Sequence, residues 1–246
     1  MHLLAVAAIG LGVGFLSGLF GKGGSAIATP LLYAIGVPAV FAIAAPLPAA
    51  IPSTLAASMP YRKGRFVDDR VVRWTLWFGI PATILGALAT RFVDGAALVQ
   101  LTDVILVALG VRFALGKSAA PTAEQRAGIS DARLVLVAIG VGLISGLLAN
   151  SGGFLLAPLY VAVVRLPIKS AFASSLAVAA VLAVPGTIVH AALGHIDWTL
   201  VAVFAATSVP LAFLGARVAI RSDAARLERG YGVALAALGT AFLVVR

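Results

Sequence analysis

The sequence predicts an all-α polytopic membrane protein built as two inverted-topology repeats of about five helical segments each. Three observations predict it. The chain of 246 residues is 61% hydrophobic and only 11% charged, with a mean hydropathy of +1.09, where a soluble domain carries about 25% charged residues. It repeats itself, and each copy interrupts an apolar run with glycines. Its basic residues collect in short connections that alternate between the two copies.

The repeat is plainest at the interruptions. Gly12-Val13-Gly14-Phe15-Leu16-Ser17-Gly18-Leu19 leads into Gly21-Lys22-Gly23-Gly24-Ser25 and then Pro30-Leu31. Gly140-Val141-Gly142-Leu143-Ile144-Ser145-Gly146-Leu147 leads into Asn150-Ser151-Gly152-Gly153 and then Pro158-Leu159 at the same interval. Further on, Pro38 answers Pro167, Pro81 answers Pro210, and Leu85-Gly86-Ala87 answers Leu214-Gly215-Ala216. The first repeat thus covers residues 1–116 and the second 134–246, joined by a polar, cytoplasmic linker, 117–133.

Within the first half, apolar runs fall at about 3–20, 25–36, 39–60, 71–90 and 97–115. In the second they fall at about 134–149, 154–165, 168–192, 198–216 and 230–245. A full helical span needs about 20 residues, so the short second run of each half reads as a half-helix. The first run lacks a basic leader and continues into the repeat, so it reads as a retained segment and not a signal peptide.

Charge sets the relation between the halves. Arg62, Lys63, Arg65, Arg70 and Arg73 crowd one connection, whose counterpart near 190–200 has no Lys or Arg. Arg217, Arg221, Arg226 and Arg229 crowd another, whose counterpart holds only Arg91. If each half changes side an odd number of times, all of the 18 basic residues except Arg91 and Arg246 face the cytoplasm. Eight plain spans would strand Lys22 mid-membrane. An odd number of crossings gives inverted repeats. Five crossings per repeat and three plus a re-entrant hairpin both satisfy the rule.

The net charge of +9 does not indicate nucleic-acid binding, because it resides in these loops. The absence of cysteine excludes disulfides and thiolate metal sites. Enzyme motifs are lacking: Ser17 and Ser145 stand as Gly-x-x-Ser-Gly, His190 and His195 are too far apart for one helix face, and there is no phosphate-binding loop. No cofactor is expected. The partners expected are the lipid bilayer and a small anionic solute, with the oligomeric state left open, a homo-oligomer included.

The breaks carry the candidate chemistry. Non-helical backbone at membrane depth persists only where it is buried in protein or lines a polar cavity. Between Gly21 and Pro30 several amides lack helical partners, and a helix starting there presents its partly positive end to the gap. Two such starts form an anion site. Gly21, Lys22, Gly23, Gly24 and Ser25 are the substrate-binding candidates in the first half, and Asn150, Ser151, Gly152 and Gly153 in the second. Ser174 and Ser175 join them from the third run, where Ser53, Thr54, Ser58 and Thr187 also carry hydroxyls that can instead bond their own helix. Asp103, inside the fifth run, is the candidate for proton coupling. His190 and His195 are expected near the outer loop as solvated residues, and Asp197 as a helix cap beside interfacial Trp198.

Taken in order, Gly18-Leu19-Phe20-Gly21-Lys22-Gly23-Gly24 with Pro30-Leu31-Leu32, the recurrence from Gly146 to Leu159, and Gly194-His195-Ile196-Asp197-Trp198 resemble the sulfite exporter TauE/SafE family of bacterial membrane transporters. The resemblance covers nearly the whole chain. It implies a multi-pass protein of the bacterial inner membrane that exports or takes up small sulfur-containing or organic anions, such as sulfite, sulfonates and sulfoacetate. The expected function is secondary transport by alternating access. An anion channel with the same broken helices is the first alternative; an intramembrane enzyme or a structural subunit are the others.

Overall fold

The computed structural model describes residues 2–21, 24–94, 97–98, 100–101, 104, 108, 111 and 130–244. Among them the secondary structure is helical, with no strand. The first half contributes α1 (His2–Phe20), α2 (Ser25–Ala34), α3 (Ala39–Ala44), α4 (Pro46–Lys63) and α5 (Asp69–Ala89), followed by a 3-10 turn, Thr90–Phe92. The second contributes α6 (Asp131–Leu147), α7 (Gly153–Ala162), α8 (Ile168–Ala192), α9 (Trp198–Arg221) and α10 (Ala224–Val244). Among the described residues five stretches are long and apolar enough to cross a membrane: Leu3–Phe20, Ala39–Lys63, Asp69–Phe92, Ile168–Ala192 and Trp198–Arg221. The chain is a multi-pass membrane protein.

The half-helices are as short as their sequence implies. α2 and α7 have 10 residues each, about 15 Å at the α-helical rise, or roughly half the hydrocarbon thickness. The prolines do not mark where they begin. Pro30 and Pro158 lie inside α2 and α7. Each removes the hydrogen bond to the carbonyl four residues back, and the one freed by Pro158 is met by Tyr231, whose hydroxyl donates to the Phe154 carbonyl at 3.4 Å.

Helix starts are fixed by carboxylate caps. Asp68 accepts from the amides of Arg70 and Val71 at 3.1 Å each, and its repeat counterpart Asp197 accepts from Thr199 and Leu200 at 2.8 and 3.2 Å, as expected of it. Asp223 caps α10 through the amides of Ala225 and Arg226. That cap starts the last helix several residues before the expected 230. The third run differs between halves: α8 is continuous over 25 residues, while Pro46 at the first turn of α4 separates it from α3.

The halves exchange their first helices. α1 packs chiefly on α9, and α5 chiefly on α6. Glycines set the distance: a Cβ on Gly142 would stand 2.6 Å from the Gly79 carbonyl, and one on Gly14 would strike the Ser208 backbone. Gly18 meets Ala212 and Gly146 meets Thr83; Gly86 meets Leu143 and Gly215 meets Phe15. Each contact in one half has its repeat counterpart in the other. Small residues permit this close backbone approach between membrane helices. Packing is the whole reason for Gly86 and Gly215, as their isolated positions imply.

Candidate functional site

α1 ends at Phe20 and the chain turns at Gly21, whose φ of +63° suits glycine. A side chain there would also overlap Phe172 of α8. Ser175 closes this corner, its hydroxyl donating to the Gly21 carbonyl and lying 2.9 Å from that of Phe172. α2 then starts at Ser25. Its first turn is closed by Ile27 and Ala28, whose amides donate to the Gly24 carbonyl. The stretch without helical partners therefore ends at Ala26 and does not run to Pro30 as expected.

The second break is built differently. α6 ends at Leu147, Ala149 takes a φ of +46°, and Asn150 returns its amide to the Ser145 carbonyl at 2.7 Å. Gly152, at φ +79°, caps α7. The first intrahelical bonds run from Leu155 and Leu156 to its carbonyl.

The two breaks meet. Ser25 Oγ donates to Asn150 Oδ1 at 2.8 Å, accepts from the Ser151 amide at 3.3 Å, and lies 3.5 Å from Ser151 Oγ. The Gly152 amide donates to the same Asn150 oxygen at 3.1 Å. Because an amide N–H can only donate, the Asn150 atom facing it is the oxygen. Both of these bonds use that oxygen, leaving the two side-chain N–H donors of Asn150 outside this network. Ser25, Asn150 and Ser151 are all buried. The direct bond means that Ser25 must part from Asn150 before anything else can lie between them.

Ser175 bonds the first break directly through Gly21, whereas Ser174 is engaged elsewhere. The Ser174 hydroxyl accepts from the Asp68 amide at 3.0 Å, so it ties α8 to the start of α5. Ser53, Thr54 and Ser58 bond carbonyls of their own helix, and Ser53 also meets Ser208 at 2.9 Å. Lys22, Gly23 and Asp103, together with linker residues 117–129, lie outside the described residues.

Among the described residues three hydroxyls go unbonded; sequence reasoning weighs Thr187 and passes over Thr83 and Ser145 as solute ligands. Those of Thr83, Ser145 and Thr187 are buried without a hydrogen-bond partner, the kind of group that calls for an explanation. Ser145 Oγ would lie 2.9 Å from a Cβ on Gly152, so it stands beside the second break. Its position in the repeated Gly-x-x-Ser-Gly pattern was the available signal. His190 is a correction: it lies within α8 and is 1% exposed, not solvated near the outer loop as expected. Its Nε2 lies 3.3 Å from the Gly146 carbonyl and its Nδ1 3.1 Å from His195 Nδ1. Among the described residues no three His, Cys, Asp or Glu side chains gather to hold a metal ion.

Comparison with known proteins agrees with this architecture. Residues 6–242 match the family model described as "Sulfite exporter TauE/SafE". A protein named "Probable membrane transporter protein" from Xylella fastidiosa (strain 9a5c) is 30% identical over 242 residues, 95% of this chain and 92% of the relative. Its namesake in strain Temecula1 is 29% identical over the same share of each chain. No solved structure matches. A chain matched from end to end by one transporter model, and carrying paired half-helices inside a bundle of apolar spans, belongs to the sulfite exporter TauE/SafE family of membrane transporters.

Proposed function

We propose that this protein is a secondary carrier for a small oxyanion, sulfur-containing or carboxylic, that binds between the two breaks near mid-membrane. The observation that carries the reading is the buried contact of Ser25 with Asn150 and Ser151. It joins the start of one half-helix to the loop before the other. Helix N-termini favour negative charge, and the donors at hand are backbone amides, two serine hydroxyls and the Asn150 carboxamide. Ser145 adds an unpartnered hydroxyl beside Gly152.

On this reading the halves, 1–116 and 134–246, are inverted repeats joined by a cytoplasmic linker. The arrangement described here is the occluded one. The anion replaces the Ser25–Asn150 bond, drawing on donors that now serve each other, and one repeat rocks against the other to change access. Close glycine contacts between α1 and α9 and between α5 and α6 suit helix pairs that move as units.

Flux in proteoliposomes tests it. Asn150→Asp keeps the size and the acceptor oxygen of the side chain but replaces two donors with a negative charge. It should abolish sulfite and sulfonate flux while the protein remains folded in the membrane. Flux at the parental rate would overturn the assigned site. Saturable flux with counterflow separates the carrier from the channel reading, which predicts neither.

A further inference from the structure

A cavity lies away from the breaks, where the segment after α5 meets the end of α8 and where Val40 and Ile43 of α3 add apolar walls. It has a volume of about 150 Å³, about ten times the roughly 15 Å³ that one water requires. Thr90, Arg91, Val93 and Leu98 line one side; His190 and His195 line the other. Two of its lining residues reach the carbonyl end of α6. Those carbonyls are met from the cavity residues themselves: Thr90 Oγ1 donates to Leu147 O at 3.1 Å, and His190 Nε2 faces Gly146 O at 3.3 Å.

The hydrogen bonds fix the protons. A carbonyl only accepts, so His190 Nε2 carries a hydrogen. In the neutral ring its Nδ1 is then bare, and His195 Nδ1, at 3.1 Å, must donate to it. That leaves His195 Nε2 as a free lone pair. A proton from solvent can be added there without breaking either bond. The result is an imidazolium lining the same cavity as Arg91, whose guanidinium lies over the Phe92 ring at 4.7 Å. Guanidinium and imidazolium together suit an oxyanion.

We propose that this cavity is a proton-dependent oxyanion site, in which His195 gains its proton as the anion binds beside Arg91. The surroundings favour both partners. The partly negative carbonyl end of α6 favours a cation on the histidine pair. Its titratable residues Asp131 and Arg133 stand at the opposite end of that helix. α3 carries no titratable side chain. The carboxylates of the adjoining segments, Asp94 and Asp197, accept backbone amides of Ala97 and Thr199 at 3.2 and 2.8 Å. Burial holds His195 below its ordinary range, so the empty cavity keeps a neutral ring and the anion restores its charge. Proton and anion each raise the affinity for the other, as linkage requires. The inference rests on the transport reading only for the class of solute.

The chain has no cysteine, so Val93→Cys places a single thiol on the cavity wall. Its labelling by a neutral maleimide is followed with sulfate or with chloride at equal ionic strength, and the two rates are compared at the same pH. Sulfate should slow labelling about threefold or more near pH 5.5 and leave it unchanged near pH 7.5. It should also draw protons from a weakly buffered solution. His195→Gln should remove the protection at acid pH, and Arg91→Gln should weaken it, both with parental labelling in chloride. Equal protection at both pH values, none at either, or full acid protection in His195→Gln would overturn the proposal. Asn150→Asp separates the two sites. Flux lost in Asn150→Asp with protection intact leaves both sites standing, flux lost in that variant with no protection in the parent sinks the cavity site alone, and parental flux with protection intact sinks the break site alone.

Discussion

Ser25 and Asn150, from opposite halves of the chain, hold each other across two interrupted helices, hydroxyl to carboxamide oxygen at 2.8 Å. The bond lies among buried residues and shares its acceptor with the Gly152 amide. It therefore locks the half-helices together in the described arrangement and must be undone for a solute to enter.

Removing that lock has a measurable cost. Ser25→Ala leaves Asn150 Oδ1 with one donor and the Ser151 amide without its acceptor. A buried group losing its partner costs about 1–3 kcal/mol. Thermal unfolding in detergent should show a lower Tm for Ser25→Ala, and a parental Tm would mean that the bond contributes nothing.

The glycine contacts predict a sharper penalty. Gly146→Val would drive its side chain into the Thr83 carbonyl and the Ala87 amide, backbone atoms that cannot swing aside. Overpacking of this kind costs about 1–3 kcal/mol or more. Gly140, with open space around its Cβ position, is the control: Gly140→Ala should unfold at the parental temperature. Equal losses at the two positions would contradict the packing described.

Pro158 and Tyr231 should be coupled. Tyr231→Phe removes the donor to the Phe154 carbonyl that Pro158 leaves free, at a cost of about 1 kcal/mol. Pro158→Ala restores a helical N–H to that carbonyl. In the Pro158→Ala background Tyr231→Phe should therefore cost less, and a double-mutant cycle on Tm would reveal it. Additive effects would show that the two residues act independently.

Acid stability follows from His195. Burial depresses its pKa in the folded state, while the unfolded value is about 6.5. The unfolded chain therefore binds more protons between those values, and stability falls as pH drops below about 6.5. In sulfate-free buffer the Tm of the parent should fall with acidification more steeply than that of His195→Gln. Parallel profiles would show that His195 contributes nothing to the acid response.

Much of this was legible in the residues. The consecutive glycines followed by proline gave both half-helices, and the Asp197 cap was readable from its place before Trp198. Partner choice was not. α1 is apolar around its whole circumference, so no stripe indicates which face packs; its repeated glycines imply close approach without naming Ser208 and Ala212 as the surfaces approached. His190 read as solvated near the outer loop because its burial depends on a carbonyl exposed where α6 stops, and that stop belongs to the other end of the repeat. The tie of Ser174 to Asp68 was not legible, because a serine cannot declare that an amide from a distant turn takes its acceptor role.

The traded first helices carry one last implication. Neither half encloses itself: α1 seals the second half and α6 seals the first. Two polypeptides cut within residues 117–129 should each fail to fold alone, yet reassemble when made together, since the most extensive helix contacts among the described residues lie between them.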